Sequence, residues 1–394
     1  MKKRLHVTLV LFLALMLVLT SCAAPAADPG TTAPVEEAAP AESGESEEAL
    51  AAEEAPAAAG SGLVCEGKRF GLITPVSGLG DNSIGDATYN GIMEASEKLG
   101  FTFDYSEPKN PTDIESIIID YSKTGEYDMI FLASYDSLDP VEAVGPEYPN
   151  QKFIMYDIQA EGNEQYISEF FAKNEIGFIA GALAALLEEK GEVTIAGQTT
   201  TFEPTGKIGL IIGNEVPSTV PALTGAAAGV KYINPDYENL YGIVGDWNNQ
   251  AKNKELALSM YDQGAHFIFH NSGGGAIGIV EAARERNQFF IGYDRDQVDW
   301  DPSLVIGSSV KQNSATILRV FQEYCENGGE LAWGTAEENN AANGGIAFKY
   351  NPDLVVPEDI AEIMKGVIAA LKNGEIKAPN TWEEVEAFDV VYGE

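Results

Sequence analysis

Basic residues are scarce in this chain: 24 Lys and Arg stand against 61 Asp and Glu, a formal net charge of −37. A surface of that sign repels phosphate backbones and anionic headgroups, which excludes nucleic-acid binding and electrostatic attachment to a membrane. Histidine is almost missing, and beyond the first residues only His266 and His270 remain. They lie four apart in Ala-His-Phe-Ile-Phe-His, which alternates like a strand and does not present two ligands as a metal-binding helix would. Three cysteines are too few for a disulfide framework or a zinc pattern, so no metal and no cofactor are expected. Cys65 and Cys325 can pair, but the sequence does not bring them together. Long apolar runs are lacking too, since Leu5–Leu19 falls short of the roughly 20 residues a membrane span needs.

That short run follows Met1-Lys2-Lys3-Arg4 and ends in Leu19-Thr20-Ser21-Cys22. The basic start, apolar stretch and small residues before a cysteine resemble a bacterial lipoprotein signal peptide. The resemblance implies a signal over residues 1–21, lipid on Cys22 and a body held on the extracytoplasmic face of the cell membrane. From Ala23 to Gly62 the chain contains no lysine, arginine or aromatic residue. Such a segment buries too little apolar surface to offset its ordering entropy. Residues 22–62 therefore read as a disordered acidic tether, with an end-to-end distance of roughly 35 Å as a flexible coil.

From Leu63 onward short apolar runs alternate with helical patterns. Strands are expected at Phe70–Thr74, Phe101–Tyr105, Met129–Ala133, Phe153–Ile158, Ile208–Ile212, Phe267–His270, Phe289–Tyr293 and Leu304–Val310. Helices are expected at Gly85–Leu99, Asp113–Ser122, Ile176–Glu189, Pro221–Ile233, Gln250–Asp262 and Ile277–Arg286, with a last one opened by Pro357 and stopped at Gly374. Strands spaced by helices imply βαβ units and parallel sheets. So many strands fit two doubly wound α/β lobes better than one wide sheet. No internal repeat is evident.

Ligands in open α/β sheets bind where strands end. The first strand runs into Gly78-Leu79-Gly80-Asp81-Asn82-Ser83, which offers an acceptor, a hydroxyl and backbone N–H groups; the same residues equally suit the cap of a helix. Gly273-Gly274-Gly275-Ala276-Ile277-Gly278 matches the spacing of a dinucleotide fingerprint, but no catalytic domain follows it. Three glycines in a row still allow close approach of backbone to a ligand. Asp294 ends an apolar strand abruptly, as a carboxylate placed to accept bonds from sugar hydroxyls would, with Asp296 just beyond. Lys311 closes another strand and can supply the complementary donor. Trp247 is flanked by polar residues only, which suits an aromatic face open to a base or sugar ring.

Together these pieces resemble the basic membrane protein family of lipoproteins. The resemblance is carried by Gly80-Asp81-Asn82-Ser83, Asn174-Glu175-Ile176-Gly177-Phe178-Ile179-Ala180-Gly181-Ala182, Lys207-Ile208-Gly209-Leu210-Ile211-Ile212-Gly213 and Gly225-Ala226-Ala227-Ala228-Gly229-Val230-Lys231. It continues through Gln263-Gly264-Ala265, the glycine run, Ile291-Gly292-Tyr293-Asp294-Arg295-Asp296-Gln297 and Ser308-Ser309-Val310-Lys311. It implies a type I periplasmic-binding fold with a three-crossing hinge. The amino-terminal lobe would hold residues 63–171 and 309–329, and the carboxyl-terminal lobe residues 172–308 and 330–394. It also implies a monomeric binding protein, not an enzyme, that passes a purine nucleoside to an ABC permease. Asp81, Asn82 and Ser83 would form one rim of the cleft, Trp247 the base platform, Gly273 a backbone contact, and Asp294 and Lys311 the ribose contacts. Glu175 and Asp296 are secondary candidates. Where the family carries Phe-Asn after the serine this chain has Ile84-Gly85, which removes one face of an aromatic sandwich; Tyr135 is a candidate substitute. Other uses stay open: a sensor subunit for a signalling receptor, a binder of another sugar-like ligand, or a nucleoside hydrolase, although no base–nucleophile constellation surrounds Asp294 and Asp296.

Overall fold

The computed structural model describes residues 63–393; the expected signal peptide, Cys22 and the acidic tether lie outside the described residues. Apolar runs such as Phe70-Gly71-Leu72-Ile73 and Phe267-Ile268-Phe269 become strands buried on both faces, as parallel sheets covered by helices require. Two six-stranded sheets result. The first runs in space Thr102–Ser106, Arg69–Ile73, Met129–Leu132, Phe153–Tyr156, Tyr166–Phe171 and Ala336–Asn339, all parallel. The second runs Glu238–Ile243, Lys207–Ile212, Phe267–Asn271, Phe289–Asp294 and Val305–Lys311 in parallel, and ends in the antiparallel Ile346–Tyr350. A small three-stranded sheet, Leu354–Val355, Glu192–Ile195 and Gln198–Thr201, completes the strands among the described residues.

In each large sheet the first five strands have the order 2-1-3-4-5. The molecule thus holds an internal repeat of topology, although the sequence reading finds no repeat. The strands and helices expected from periodicity are present, with shifts of one to three residues at most ends. Five strands escaped it, Tyr166–Phe171, Glu238–Ile243, Ala336–Asn339, Ile346–Tyr350 and Leu354–Val355, together with the hairpin Glu192–Thr201 and the helices Leu138–Val144, Asn313–Glu326 and Trp382–Ala387. Several lie at sheet edges with exposed side chains. Ala336–Asn339 buries only its last residue, so no apolar period marks it.

That edge strand also corrects the expected hinge. The chain leaves the first sheet after Phe171 and returns only after Lys311, since Val305–Lys311 stays paired in the second sheet. It crosses again between Asn339 and Ile346, not near Gly329, because Ala336–Asn339 pairs with Tyr166–Phe171. Residues 309–311 and 330–339 therefore sit on the opposite side from the one expected. The helix between them, Asn313–Glu326, packs on Ile84–Leu99, and a disulfide joins Cys65 to Cys325. That bond is of the kind oxidising extracytoplasmic compartments maintain.

Candidate functional site

Doubly wound sheets leave a crevice at the carboxyl ends of their strands, where the order reverses. Here the carboxyl edges of both large sheets open onto one cleft of about 760 Å³, its mouth included, a size suited to a small organic ligand. The first sheet contributes Ser77, Asp81 and Ser83 after its first strand and Ser134, Tyr135 and Asp136 after its third. The second contributes Ser218 and Thr219, Trp247, and Asn271 and Gly273 after its first three strands.

The fourth and fifth strands of each sheet supply charges in matched places. Phe153–Tyr156 is followed by Asp157, and Phe289–Asp294 ends in Asp294; each aspartate follows a buried tyrosine. Both aspartates adopt left-handed backbone conformations, φ +63° and +69°, which are costly for residues with a Cβ and recur at functional sites. Lys173 follows the fifth strand of one sheet and Lys311 closes that of the other. Lys311 Nζ lies 2.7 Å from Asp294 Oδ1 and 3.0 Å from Asp157 Oδ2, and Lys173 Nζ lies 3.0 Å from that same Asp157 oxygen. Asp157 Oδ1 is buried with no hydrogen-bond partner among the described residues. Ser83 Oγ donates to Asp294 Oδ2 at 2.7 Å, so the two sheet edges touch here.

Burial opposes all these charges, and their neighbours decide the outcome. For Asp157 the burial is outweighed by Lys173 and Lys311, which hold its carboxyl below the usual range. For Lys311 the two aspartates outweigh burial and raise the ammonium well above its usual value. Lys173 has Asp157 as its main partner, and burial wins, lowering it.

At the other end stands Trp247. A Cβ on Gly213 would come 2.4 Å from its ring, so only glycine lets the indole lie against that backbone. With its amide oriented by its partners, Asn214 accepts from Trp247 Nε1 at 2.8 Å and donates to the Gly245 carbonyl at 3.1 Å. The Gly275 N–H donates to the Trp247 carbonyl at 2.8 Å. The glycine run forms a short turn ahead of the helix Ile277–Arg286 and braces this platform. Tyr135 and Asp136 line the same cleft from the first sheet's edge.

Of the residues singled out by sequence, Asp81, Ser83, Tyr135, Trp247, Gly273, Asp294 and Lys311 line the cleft. Asp81, however, spends its carboxylate on its own loop and helix. It accepts from Ser77 Oγ (2.7 Å) and from the N–H groups of Ser83 (2.8 Å), Gly85 (3.0 Å) and Asp86 (3.2 Å). Asn82 is exposed outside this cleft, where its carbonyl and Oδ1 accept from Arg295. Glu175 accepts the Ala341 N–H at 2.8 Å at the third crossing, and Asp296 accepts the Val298 N–H at 3.2 Å in an exposed turn; neither lines the cleft. Gly85 has a structural reason: a Cβ there would meet the Gly78 carbonyl at 2.3 Å. Sequence reading missed Asp157, Lys173 and Asp136. The first had a signal, because Tyr156-Asp157 repeats the strand-then-acid pattern of Tyr293-Asp294.

Both histidines serve the scaffold. His266 pairs with the buried Glu188 at 2.8 Å. His270 takes the Ser272 N–H on Nδ1 at 3.1 Å, so its Nε2–H donates to Gln297 Oε1 at 3.1 Å.

A family profile described as ABC transporter substrate-binding protein PnrA-like matches residues 71–381. The chain belongs to this family. Its relatives include the ABC transporter nucleoside-binding protein BmpA of Lactococcus lactis, 23% identical over 344 residues, 81% of this chain and 91% of that protein. Basic membrane protein A of Borreliella afzelii is 26% identical over 78% of this chain and 90% of its own length. An ABC-transporter solute-binding protein of Aeropyrum pernix superposes with a TM-score of 0.69 at 22% identity, covering 81% of this chain and 96% of the other. The fold is thus that of periplasmic binding proteins, and this family member is a substrate-binding protein of ABC transporters.

Proposed function

We propose that this protein is a lipid-anchored extracytoplasmic receptor that captures a purine nucleoside and delivers it to an ABC permease. One observation carries the reading: a cleft with a four-charge cluster at one end and a braced indole at the other. Adjacent ribose hydroxyls suit Asp294 and the free oxygen of Asp157, with Lys311 between the two carboxylates. The base suits the Trp247 face, with Tyr135 on the opposite wall taking the place left by Ile84. Ser83 closes the sugar end by bonding to Asp294. The cleft lining carries four carboxylates, Asp81, Asp136, Asp157 and Asp294, against two ammonium groups, Lys173 and Lys311. That balance disfavours a phosphorylated ligand and favours a neutral nucleoside. The name of the Lactococcus relative points the same way.

The test is calorimetry on protein freed of carried-over ligand. Inosine and guanosine should bind and ribose alone should not. Trp247→Ala should weaken nucleoside binding by about 1–3 kcal/mol, the worth of one stacked base. Equal binding of ribose and inosine would remove the base platform from the account.

A further inference from the structure

Binding proteins of this fold close two lobes over a ligand about a hinge, and the two lobes here also meet outside the ligand cleft. On the first lobe the meeting point is the loop Asp81-Asn82-Ser83, just ahead of the helix Ile84–Leu99. Its shape is fixed from within. The Asp81 carboxylate holds the N–H groups of Ser83, Gly85 and Asp86, and the Asp86 carboxylate accepts those of Gly80 at 2.7 Å and Asn82 at 2.9 Å. Asn82 is held at φ +50°, a left-handed conformation that asparagine tolerates. Its carbonyl accepts from Arg295 Nε at 2.9 Å and its Oδ1 from Arg295 Nη2 at 3.1 Å. Arg295 is set by its own lobe in the same way. Its Nη1 donates to the Asp296 carbonyl at 2.7 Å and lies 3.4 Å from Asp299, and the guanidinium sits 5.6 Å from the centre of the Trp300 ring. Gly274 adds a close approach between the lobes. A Cβ there would come 2.9 Å from the Asp81 carbonyl, whereas the nearest group of its own lobe, Asn248 Oδ1, is 3.4 Å away. Asn82, Gly274 and Arg295 do not line the ligand cleft.

We propose that Asn82, Arg295 and Gly274 form a clasp that holds the lobes closed without touching the ligand, and so sets the affinity for every ligand by one common factor. Two donors of a planar, rigid fork meet two acceptors on one residue, a geometry that exists only when the lobes are shut. Both halves are braced by their own lobes, so closing orders little that was free before. Every contact of the clasp runs between protein atoms and is the same whichever molecule is bound. A ligand that binds the closed arrangement therefore gains apparent affinity in proportion to the closed share of the protein. Residues lining the cleft discriminate between ligands; the clasp does not. Gly274 belongs to it because an added methyl group would strike the opposite lobe and leave its own lobe undisturbed. The clasp rests on the binding-protein fold and is independent of the nucleoside reading.

The experiment uses the full chain carrying Cys22→Ser, Lys109→Cys and Ala251→Cys. One exposed position in each lobe then takes a nitroxide, while Cys65 and Cys325 stay in their disulfide. Pulsed dipolar spectroscopy reads the share of molecules at the closed distance, which is the one this structure gives for the pair. Without added ligand a closed share should be measurable, and Arg295→Met and Gly274→Ala should each lower the closed-to-open ratio at least ~5-fold. Arg295→Lys keeps a single donor and should fall between Arg295→Met and the parent chain. Calorimetry should show inosine and guanosine weakened alike in each variant, by the ratio of the closed shares. A parent chain with no closed share, or the same closed share in parent and variants, would overturn the clasp. A loss that differs between the two nucleosides would make Arg295 a ligand contact and overturn it as well. Absence of nucleoside binding by the parent chain would overturn the nucleoside reading, and the distances would still decide the clasp.

Discussion

The two sheets end alike, each with an aspartate after its fourth strand and a lysine after its fifth, yet their pairs do different work. Lys311 touches the aspartates of both sheets and has a side chain only 2% exposed, while Lys173 touches Asp157 alone. Asp294 is bonded across the cleft to Ser83, and Asp157 keeps one oxygen free. A repeated framework has thus been specialised: one lysine is the hub, and the other adjusts the charge of one carboxylate.

Removing the hub is the strongest way to break that comparison. Lys311→Met leaves two buried carboxylates without their shared cation and should cost about 3–5 kcal/mol of stability, as loss of one partner from a buried ion pair does. Lys173→Met leaves Asp157 still paired to Lys311 and should cost less than half as much. Thermal melting of both variants measures the difference, and equal losses would contradict the hub.

The sheets also differ in how acid affects them. His270, in the second sheet, is buried and pushed by that burial from 6.5 to about 4. Its contribution is present above 6.5 and is lost as pH falls through about 4, a change of about 3 kcal/mol. Glu169, in the first sheet, has the opposite sign. Burial raises it from 4.5 to about 7 despite Arg319, so its contribution is present below 4.5 and is lost as pH rises through about 7. Denaturant melts between pH 4 and 7 should flatten in one direction for His270→Gln and in the other for Glu169→Gln.

Ligand affinity separates the aspartates by a smaller margin. Asp294→Ala removes a hydroxyl acceptor and the Ser83 contact and should cost at least about 2 kcal/mol in nucleoside binding. Asp157→Ala should cost less, because Lys311 retains Asp294. Titration of both variants with inosine ranks them, and a larger loss at Asp157 would reverse the roles.

How much of this could be read from sequence follows the same division. Central strands announce themselves through unbroken apolar runs, and Asp294, Lys311 and Trp247 stood out as polar or aromatic breaks in the pattern. A strand run through Phe153–Ile158 passes over Asp157, where the strand already ends at Tyr156. A helix begun at Ile176 passes over Lys173, its first residue. Ala336–Asn339 exposes most of its side chains and leaves no periodic trace, so the third crossing was misplaced. Asp81 shows the reverse case: its residue type fitted either a ligand contact or a helix cap, and only the four donors around its carboxylate reveal the cap.

The most direct test of the paired carboxylates is calorimetry with inosine and 2′,3′-dideoxyinosine, which share a base and differ in the two hydroxyls. Loss of both hydroxyls should reduce affinity at least ~100-fold, the sum of two charge-assisted hydrogen bonds. Equal affinity for the two ligands would mean that the four-charge cluster does not read the sugar.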